Sequence, residues 1–213
     1  MKLIERSADI ISGLDDVEHL YTLSDFPIFM GCVDHPQSED LLADSVWGIG
    51  ASSGLVQLKK LIPLEILYKT SHGSGDIGRI WDEHHRSFAA FVSRYKPNSV
   101  LEIGGGHGRL AKLYEDHSQI PWTIIEPNPA PEGKSNAIWI KGFFNSSFMS
   151  NAEYDCYVHS HLFEHLYVPC EFMNDLSTHM KEGDKLLFTL PNMQAMLERN
   201  YTNCLNFEHT FFL

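Results

Sequence analysis

A glycine-rich segment follows a strongly apolar run near the middle of the chain, in Val100-Leu-Glu-Ile-Gly-Gly-Gly-His-Gly108. Glycine lets a backbone pass close to a bound molecule, and here Gly104, Gly106 and Gly108 alternate instead of following the spacing of dinucleotide sites. The acid Glu102 stands just before these glycines. A carboxylate there is unsuited to a pyrophosphate but suits a cofactor with an amino group and a sulfonium cation. The segment predicts a site for such a cofactor, with an ordinary strand-to-helix turn as the simpler alternative.

A second acid, Glu126, ends the next apolar run, Trp122-Thr-Ile-Ile-Glu126. A carboxylate at the end of a second strand can accept hydrogen bonds from both hydroxyls of a ribose. Taken alone, Glu126 could be a solvated strand end. Together with the glycine-rich segment, it predicts a nucleoside site.

The elements that position these residues follow from the alternation of short and long patterns. β-Branched and aromatic runs predict strands at 99–103, 122–126, 137–140, 154–158 and 185–190. Apolar residues at helical spacing predict three helices. One covers 77–95 and leads into the first strand, one follows the first strand, and one precedes the fifth strand. This order predicts an α/β fold with a Rossmann-like, mostly parallel sheet flanked by helices. We expect that domain over 76–213, and a small irregular N-terminal lobe with a cofactor-covering segment over 1–75.

Composition argues against several classes of protein. The 213 residues carry a formal charge of −12 and their basic residues are scattered, so we expect no nucleic-acid partner. No apolar run approaches the ~20 residues of a membrane helix and no signal peptide is evident, so we expect no membrane partner and a cytoplasmic location. The cysteines are far apart, and paired histidines are more often core residues than ligands, so we predict no metal. Whether the protein forms a homo-oligomer is left open by the sequence. The cysteines are Cys32, Cys156, Cys170 and Cys204.

Four segments between residues 98 and 192 are specific as a set: V-L-E-I-G-G-G-H-G, I-I-E-P-N-P, Y-D-C-Y-V-H-S-H-L-F-E-H and L-L-F-T-L-P-N. They resemble class I methyltransferases that use S-adenosylmethionine and release S-adenosylhomocysteine. Lys141 follows Ile140 where that class usually has an aspartate near the adenine. The resemblance implies that Glu102, Gly104, Gly105, Gly106 and Gly108 lie along the methionine part, Glu126 and Pro127 at the ribose, Gly142, Phe143 and Phe144 near the adenine, and His159 and Ser160 beside the sulfonium.

A narrower resemblance is to sugar C-methyltransferases that act on nucleotide-linked keto-deoxysugars. In that group a zinc-binding N-terminal lobe ends in C-x-x-C-G-L-V-Q-L, whereas here Ala51-Ser-Ser-Gly-Leu-Val-Gln-Leu58 keeps the tail without the cysteines. The resemblance therefore implies a degenerate, zinc-less lobe. The segment Tyr68-Lys-Thr-Ser-His72-Gly-Ser-Gly75 resembles the group's cofactor-covering segment, which implies Tyr68 and His72 as cofactor contacts. Asn206-Phe-Glu-His209 resembles the group's Tyr-x-Glu-His, with Asn206 in place of the tyrosine.

Methyl transfer from a sulfonium is a direct displacement that needs in-line placement and a base for the acceptor's proton. Histidine suits that role at neutral pH, and a neighbouring carboxylate can orient it. We therefore predict His209 as the base, Glu208 as its support, and His165 with Tyr68 as groups that position the acceptor. The alternative makes Glu208 and His209 a solvent-facing pair, Tyr68 a packing residue and His165 a helix-start residue.

The resulting hypothesis is a methyltransferase for a small polar acceptor, a sugar or nucleotide-linked sugar in surface-glycan or natural-product carbohydrate biosynthesis. The zinc cysteines and the motif tyrosine of the sugar C-methyltransferases are missing here. O- or N-methylation of another capsule or metabolite precursor is therefore the first alternative. A non-catalytic nucleoside-binding subunit, regulatory or scaffolding, is the second alternative.

The last residues predict one more strand, over 206–213, that stops on the apolar Phe211-Phe-Leu213. Class I methyltransferases have further strands, so we expect the C-terminal strands to be truncated here. An apolar strand without its neighbour would leave N–H and C=O groups unpaired at a sheet edge.

Overall fold

The computed structural model describes residues 1–29, 36–68, 78–131, 133–202 and 205–213. Predicted features at Cys32, His72 and Cys204 lie outside these residues. The strands are β1 (Ile4–Glu5), β2 (Val17–Pro27), β3 (Leu42–Gly50), β4 (Val56–Leu58), β5 (Lys60–Leu61), β6 (Val100–Ile103), β7 (Trp122–Glu126), β8 (Ile138–Lys141), β9 (Cys156–Ser160), β10 (Lys185–Thr189) and β11 (Phe211–Phe212). The α-helices are α1 (Leu64–Leu67), α2 (Arg79–Ser93), α3 (Arg109–Tyr114), α4 (Pro169–His179) and α5 (Met193–Arg199).

The chain divides into two compact units. The first unit comprises Met1–Thr70, Glu164–Cys170 and Pro191–Leu213, and the second comprises Ser71–Phe163 and Glu171–Leu190. The sequence-based division into 1–75 and 76–213 stays a prediction. Contacts between residues group the two late segments, Glu164–Cys170 and Pro191–Leu213, with the N-terminal residues.

The second unit contains the predicted parallel sheet. Its strand order is β10-β9-β6-β7-β8, and every neighbouring pair in it is parallel. The strand order reverses between β6 and β9, and ligands of open α/β sheets bind outside the carboxyl ends of the strands at such a point. The fold predicted from the alternating pattern is thereby confirmed. The glycine-rich segment leaves β6 at this point.

Burial on both faces explains why these strands lack an alternating pattern. All four residues of β6 are buried, and so are four of the five in β7. The helices predicted over 77–95, after the first strand and before the fifth are confirmed as α2, α3 and α4. The core of this unit is formed by Phe88, Ala89, Val92, Val100, Leu110, Ala111, Leu113, Tyr114, Trp122, Ile124, Cys156, Val158 and Leu187. None of the helices within the described residues could span a membrane.

The first unit contains an antiparallel sheet where the sequence suggested irregular structure. The order β11-β4-β3-β2 joins strands from both ends of the chain, and β1 pairs with β5. The Gly- and Ser-bearing stretch at 48–54 forms the end of β3 and the turn into β4. Pairing of this kind depends on residues far apart in sequence, which local patterns do not report.

Hydrogen bonds to two carboxylates hold that turn. The buried Asp9 accepts from the hydroxyl of Ser53 and from the backbone N–H groups of Ile11 and Ser12, at 2.8 and 2.7 Å for the latter two. Asp16 accepts from the backbone N–H of Ser52 at 3.0 Å. The turn that resembles a zinc-binding segment is therefore held by carboxylate oxygens.

The last residues form the edge strand of the antiparallel sheet, where β11 pairs with β4 on one side. The expectation of truncated C-terminal strands stays a prediction. The strand is shorter than the predicted 206–213, since β11 comprises Phe211 and Phe212, which pair antiparallel with Gln57 and Val56 of β4. The ring of Phe212 stacks on Trp47, with centroids 5.4 Å apart. The apolar residues fill the core of the first unit.

We expect Phe212→Ala to lower the free energy of unfolding by about 3–5 kcal/mol, because Phe212 is 5% exposed and its loss leaves a cavity beside Trp47. Leu213→Ala is the matched control, since Leu213 is 57% exposed and its truncation should cost less than about 0.5 kcal/mol. Urea unfolding of both variants checks this. Equal effects of the two substitutions would contradict the pairing of β11.

Candidate functional site

The glycine-rich loop turns through backbone conformations that L side chains rarely adopt. The φ angles of Gly104, Gly106 and Gly108 are +74°, +52° and +75°. The loop is closed by a hydrogen bond from the backbone N–H of Gly108 to the carbonyl of Gly105, at 2.7 Å. Glycine at the three alternating positions is therefore a requirement of the turn itself.

Two of the loop glycines are pressed against the sheet and one faces open space. A Cβ at Gly105 would lie 2.6 Å from Cγ2 of Ile124, and one at Gly108 would lie 2.8 Å from Cζ2 of Trp139. At Gly106 no heavy atom would lie within 4 Å. The backbone at Gly106 is thus the part of the loop that a ligand can approach.

Glu126 lies at this open part of the loop. One carboxylate oxygen accepts from the backbone N–H of Gly106 at 3.2 Å, and the other accepts from that of Asn128 at 2.9 Å. Each oxygen has a second lone pair, which suits the two hydroxyls of a ribose. The structure brings Glu126, the adjoining Pro127 and the loop together, as predicted for a nucleoside site, while the ribose contact itself stays a prediction.

Glu102 has a partner inside the fold. It is 4% exposed, and its carboxylate accepts a hydrogen bond from the indole N–H of Trp122 at 2.8 Å. A Cβ at Gly105 would also lie 2.9 Å from the Glu102 carboxyl carbon, so this acid helps to shape the loop. A contact between Glu102 and the methionine part of a cofactor stays a prediction.

His159 and Ser160 end β9, and successive strand residues point to opposite faces of a sheet. The ring of His159 is 1% exposed and stacks on Phe188 with centroids 5.0 Å apart. The hydroxyl of Ser160 is hydrogen-bonded to Nε2 of His84 and to the hydroxyl of Thr189, both at 2.9 Å. Of the two residues predicted beside the sulfonium, Ser160 is partly exposed and forms a polar cluster with His84 and Thr189. The ring of His159 packs in the core.

His84, which sequence reasoning left as a core or hydrogen-bonding histidine, lies beside the predicted site residue Ser160. Its ring lies 5.0 Å from that of His161, centroid to centroid, and His161 contacts Trp81 at 5.1 Å. Burial, followed by the charges of His161 and His85, lowers the pKa of His84 to about 4. The imidazole is therefore neutral at physiological pH, which suits a neighbouring cationic ligand. The His84-His85 pair was the signal that could have found it.

The segment predicted near the adenine begins with Gly142, whose backbone N–H donates to the carbonyl of Glu126 at 3.1 Å. Phe143 is 71% exposed, whereas Phe144 is buried against Phe148 and His179. Phe143 is therefore the aromatic ring that a base could stack on, and Phe144 secures the segment. The adenine contact stays a prediction.

In the first unit, three of the predicted acceptor-side residues come together. The hydroxyl of Tyr68 is 3.2 Å from Nδ1 of His165, and the rings of His165 and His209 are 4.9 Å apart at 81°. Asn206 stabilises the turn that contains Glu208 and His209, because its side-chain oxygen accepts hydrogen bonds from their backbone N–H groups at 2.9 and 2.8 Å. Asparagine favours such turns.

The protonation of Tyr68 follows from its surroundings. Burial, with the negative charge of Glu208 next in size, raises the pKa of Tyr68 well above its usual value. Its phenol therefore stays protonated and can orient a histidine or an acceptor but cannot serve as a base. The role of His209 as the base stays a prediction.

The same cluster has the donors of a metal site. Glu164, His165 and His209 offer ligand atoms that all lie within 4.8 Å of one another, and Glu164 is 2% exposed. Two histidines and a carboxylate are a common donor set for divalent metals. The sequence predicted no metal, so the cluster calls for a direct test.

A family model described as "Methyltransferase domain" matches residues 78–212. No curated protein matches the chain. Among solved structures, one similar protein is the plantazolicin methyltransferase BpumL in complex with a monoazolic desmethylPZN analog and SAH, with 21% identity over 47% of this chain and 44% of that chain and a TM-score of 0.41.

Two further solved structures are similar to parts of the chain. Human N-acetylserotonin methyltransferase in complex with SAM shares 17% identity over 62% of this chain and 42% of that chain, with a TM-score of 0.48. The glycopeptide N-methyltransferase MtfA complexed with SAM shares 20% identity over 52% of this chain and 56% of that chain, with a TM-score of 0.42. The chain spans about half the length of these structures.

We expect the purified protein to hold far less than one divalent metal ion per chain after dialysis against EDTA, with its fold unchanged, because an imidazole that accepts a proton must keep its nitrogen lone pair available. Elemental analysis and circular dichroism check this. One tightly held metal ion in the wild type that is lost in Glu164→Gln would contradict the expectation.

Proposed function

The chain belongs to the methyltransferase-domain family, whose model it matches over residues 78–212, and we propose that it transfers the methyl group of S-adenosylmethionine to a small polar acceptor. The observation that carries the proposal is the loop after β6, at the reversal of strand order, with Glu126 bonded to the backbone of Gly106. A cytoplasmic location, inferred from the sequence, is part of the proposal.

The chemistry of the loop supports S-adenosylmethionine over a phosphate-bearing cofactor. Both acids predicted at the site, Glu102 and Glu126, are hydrogen-bond acceptors, and a pyrophosphate needs donors and positive charge. Glu126 offers acceptors to a ribose, and the backbone at Gly106 is open to the ligand. The neutral His84, bonded to Ser160, is compatible with a sulfonium, since it adds no positive charge.

When bound, S-adenosylmethionine supplies an electrophilic methyl carbon on a sulfonium that leaves as a neutral thioether. We assign to His209 the removal of the acceptor's proton at an imidazole nitrogen. His165, bonded to the protonated Tyr68, holds and orients the acceptor. Glu208 adds negative charge that favours the protonated form of the base after transfer.

A sugar or nucleotide-linked sugar is the acceptor class that we propose. Its support is the resemblance of Leu55-Val-Gln-Leu58 and of Glu208-His209 to the sugar C-methyltransferases. Gln57 in this tail is fully buried. Its side-chain amide donates to the carbonyl of Ala8 at 2.9 Å and accepts from the backbone N–H of Ile10 at 3.1 Å. These bonds, with those of Asp9, support a lobe that folds without zinc.

We expect Gly106→Arg to abolish binding of S-adenosylmethionine, because it places a long side chain where the ligand must approach. Glu126→Ala should weaken binding about tenfold to a hundredfold while the protein stays folded, since it removes charged hydrogen-bond acceptors. Isothermal titration calorimetry measures both variants, with Glu182→Ala as an exposed control of equal charge change. Wild-type affinity of Glu126→Ala would show that the ribose assignment is wrong.

We expect transfer of labelled methyl groups to a sugar nucleotide in a panel that also contains amine and phenol acceptors. His209→Gln should reduce kcat by at least about a hundredfold and remove the acidic limb of its pH profile, because the base that titrates there is gone. Glutamine keeps a hydrogen-bonding group of similar size. Transfer to an amine or phenol alone would overturn the sugar assignment, and binding of S-adenosylmethionine without any transfer would favour a regulatory or scaffold subunit.

A further inference from the structure

Arg6 is a buried cation far in sequence from every predicted site residue. It is 9% exposed, and its guanidinium donates to the carbonyl of Tyr167 at 2.9 Å and to that of Thr210 at 3.2 Å. Its own backbone N–H donates to the carbonyl of Lys59 at 2.8 Å, which fixes its position beside β5. The Arg6 side chain thus binds the segments of Tyr167 and Thr210, which are more than forty residues apart in sequence.

These two segments carry the histidine pair. Thr210 donates through its backbone N–H to the carbonyl of Glu164 at 2.8 Å and through its hydroxyl to that of Leu166 at 2.7 Å. His165 and His209 are neighbours of these bonded residues, and their rings are 4.9 Å apart. The bonds of Thr210 and Arg6 thus join the two segments next to this pair of rings.

An arginine suits this task for a physical reason. A guanidinium is a planar fork whose N–H groups can reach two acceptors at once, whereas an ammonium is a point donor on a flexible stem. Burial lowers the pKa of Arg6 to about 10, so it stays charged at neutral pH and its desolvation has to be offset. An apolar residue would fill the same space without that cost.

We propose that Arg6 is a positioning residue that holds the segments of His165 and His209 in register, so that the two imidazoles act together on the acceptor. The inference rests on the proposed function for its catalytic consequence. Arg6 itself touches backbone carbonyls and is not a catalytic residue. Thr210 is the second part of the same device.

Arg6→Gln, Arg6→Lys and Thr210→Val are compared with Arg199→Gln, an exposed arginine of α5 in the same unit. We expect Arg6→Gln to lower kcat about tenfold to a hundredfold, since small misplacement of reacting groups has effects of that size, with the KM for S-adenosylmethionine unchanged. Arg6→Lys should recover part of the loss. Thr210→Val, which preserves shape and removes only the hydroxyl bond, should lower kcat in the same way with less effect on folding.

The second readout does not require turnover. Two-dimensional NMR of the His165 and His209 ring protons at one fixed pH, assigned with His165→Gln and His209→Gln, should show altered ring-to-ring contacts in Arg6→Gln and Thr210→Val and wild-type contacts in Arg199→Gln. If the wild type transfers no methyl group, the proposed function fails while the ring contacts still decide the role of Arg6. Unchanged ring contacts in folded Arg6→Gln and Thr210→Val would overturn the proposal, as would an equal loss of kcat in Arg199→Gln.

Discussion

The structure depends above all on one steric constraint, the close approach of the glycine loop to the sheet. The backbone after β6 turns through positive φ at alternate residues while it lies against Ile124 and Trp139. Any side chain at Gly105 or Gly108 would push the loop away from the strands. With the loop held there, Gly106 is left open and its N–H meets Glu126, so a packing requirement produces the polar surface that a nucleoside needs.

The histidine cluster is built by a different means. No local motif brings Tyr68, His165 and His209 together, and the bonds that do so run between backbone and side chains of separate segments. Asn206 shapes the turn at one end, and Arg6 with Thr210 joins the two segments at the other. The cluster therefore exists because the first unit contains both ends of the chain. Its stability and its geometry are supplied by the same hydrogen bonds.

Burial keeps two ionisable side chains uncharged. The pKa of His84 is lowered by burial and by neighbouring imidazoles, while the pKa of Tyr68 is raised by burial and by the negative charge of Glu208. We propose a cationic cofactor near the uncharged His84 and an acceptor that must lose a proton near Tyr68. In both cases the desolvation that shifts the pKa comes from packing that the fold requires anyway.

The sequence by itself determined the parallel sheet, its helices and the loop of the candidate cofactor site, because these features are local. Five apolar runs, helical periodicity and alternating glycines each lie within a short stretch, and the strands, helices and loop of the structure lie close to where these patterns predicted them. Only the tertiary structure decided that the N-terminal residues form an antiparallel sheet, that Phe211 and Phe212 join it, and that Glu102 bonds Trp122. These outcomes depend on pairing between segments far apart in the chain, and the free energy of such pairing comes from burial that no local pattern records.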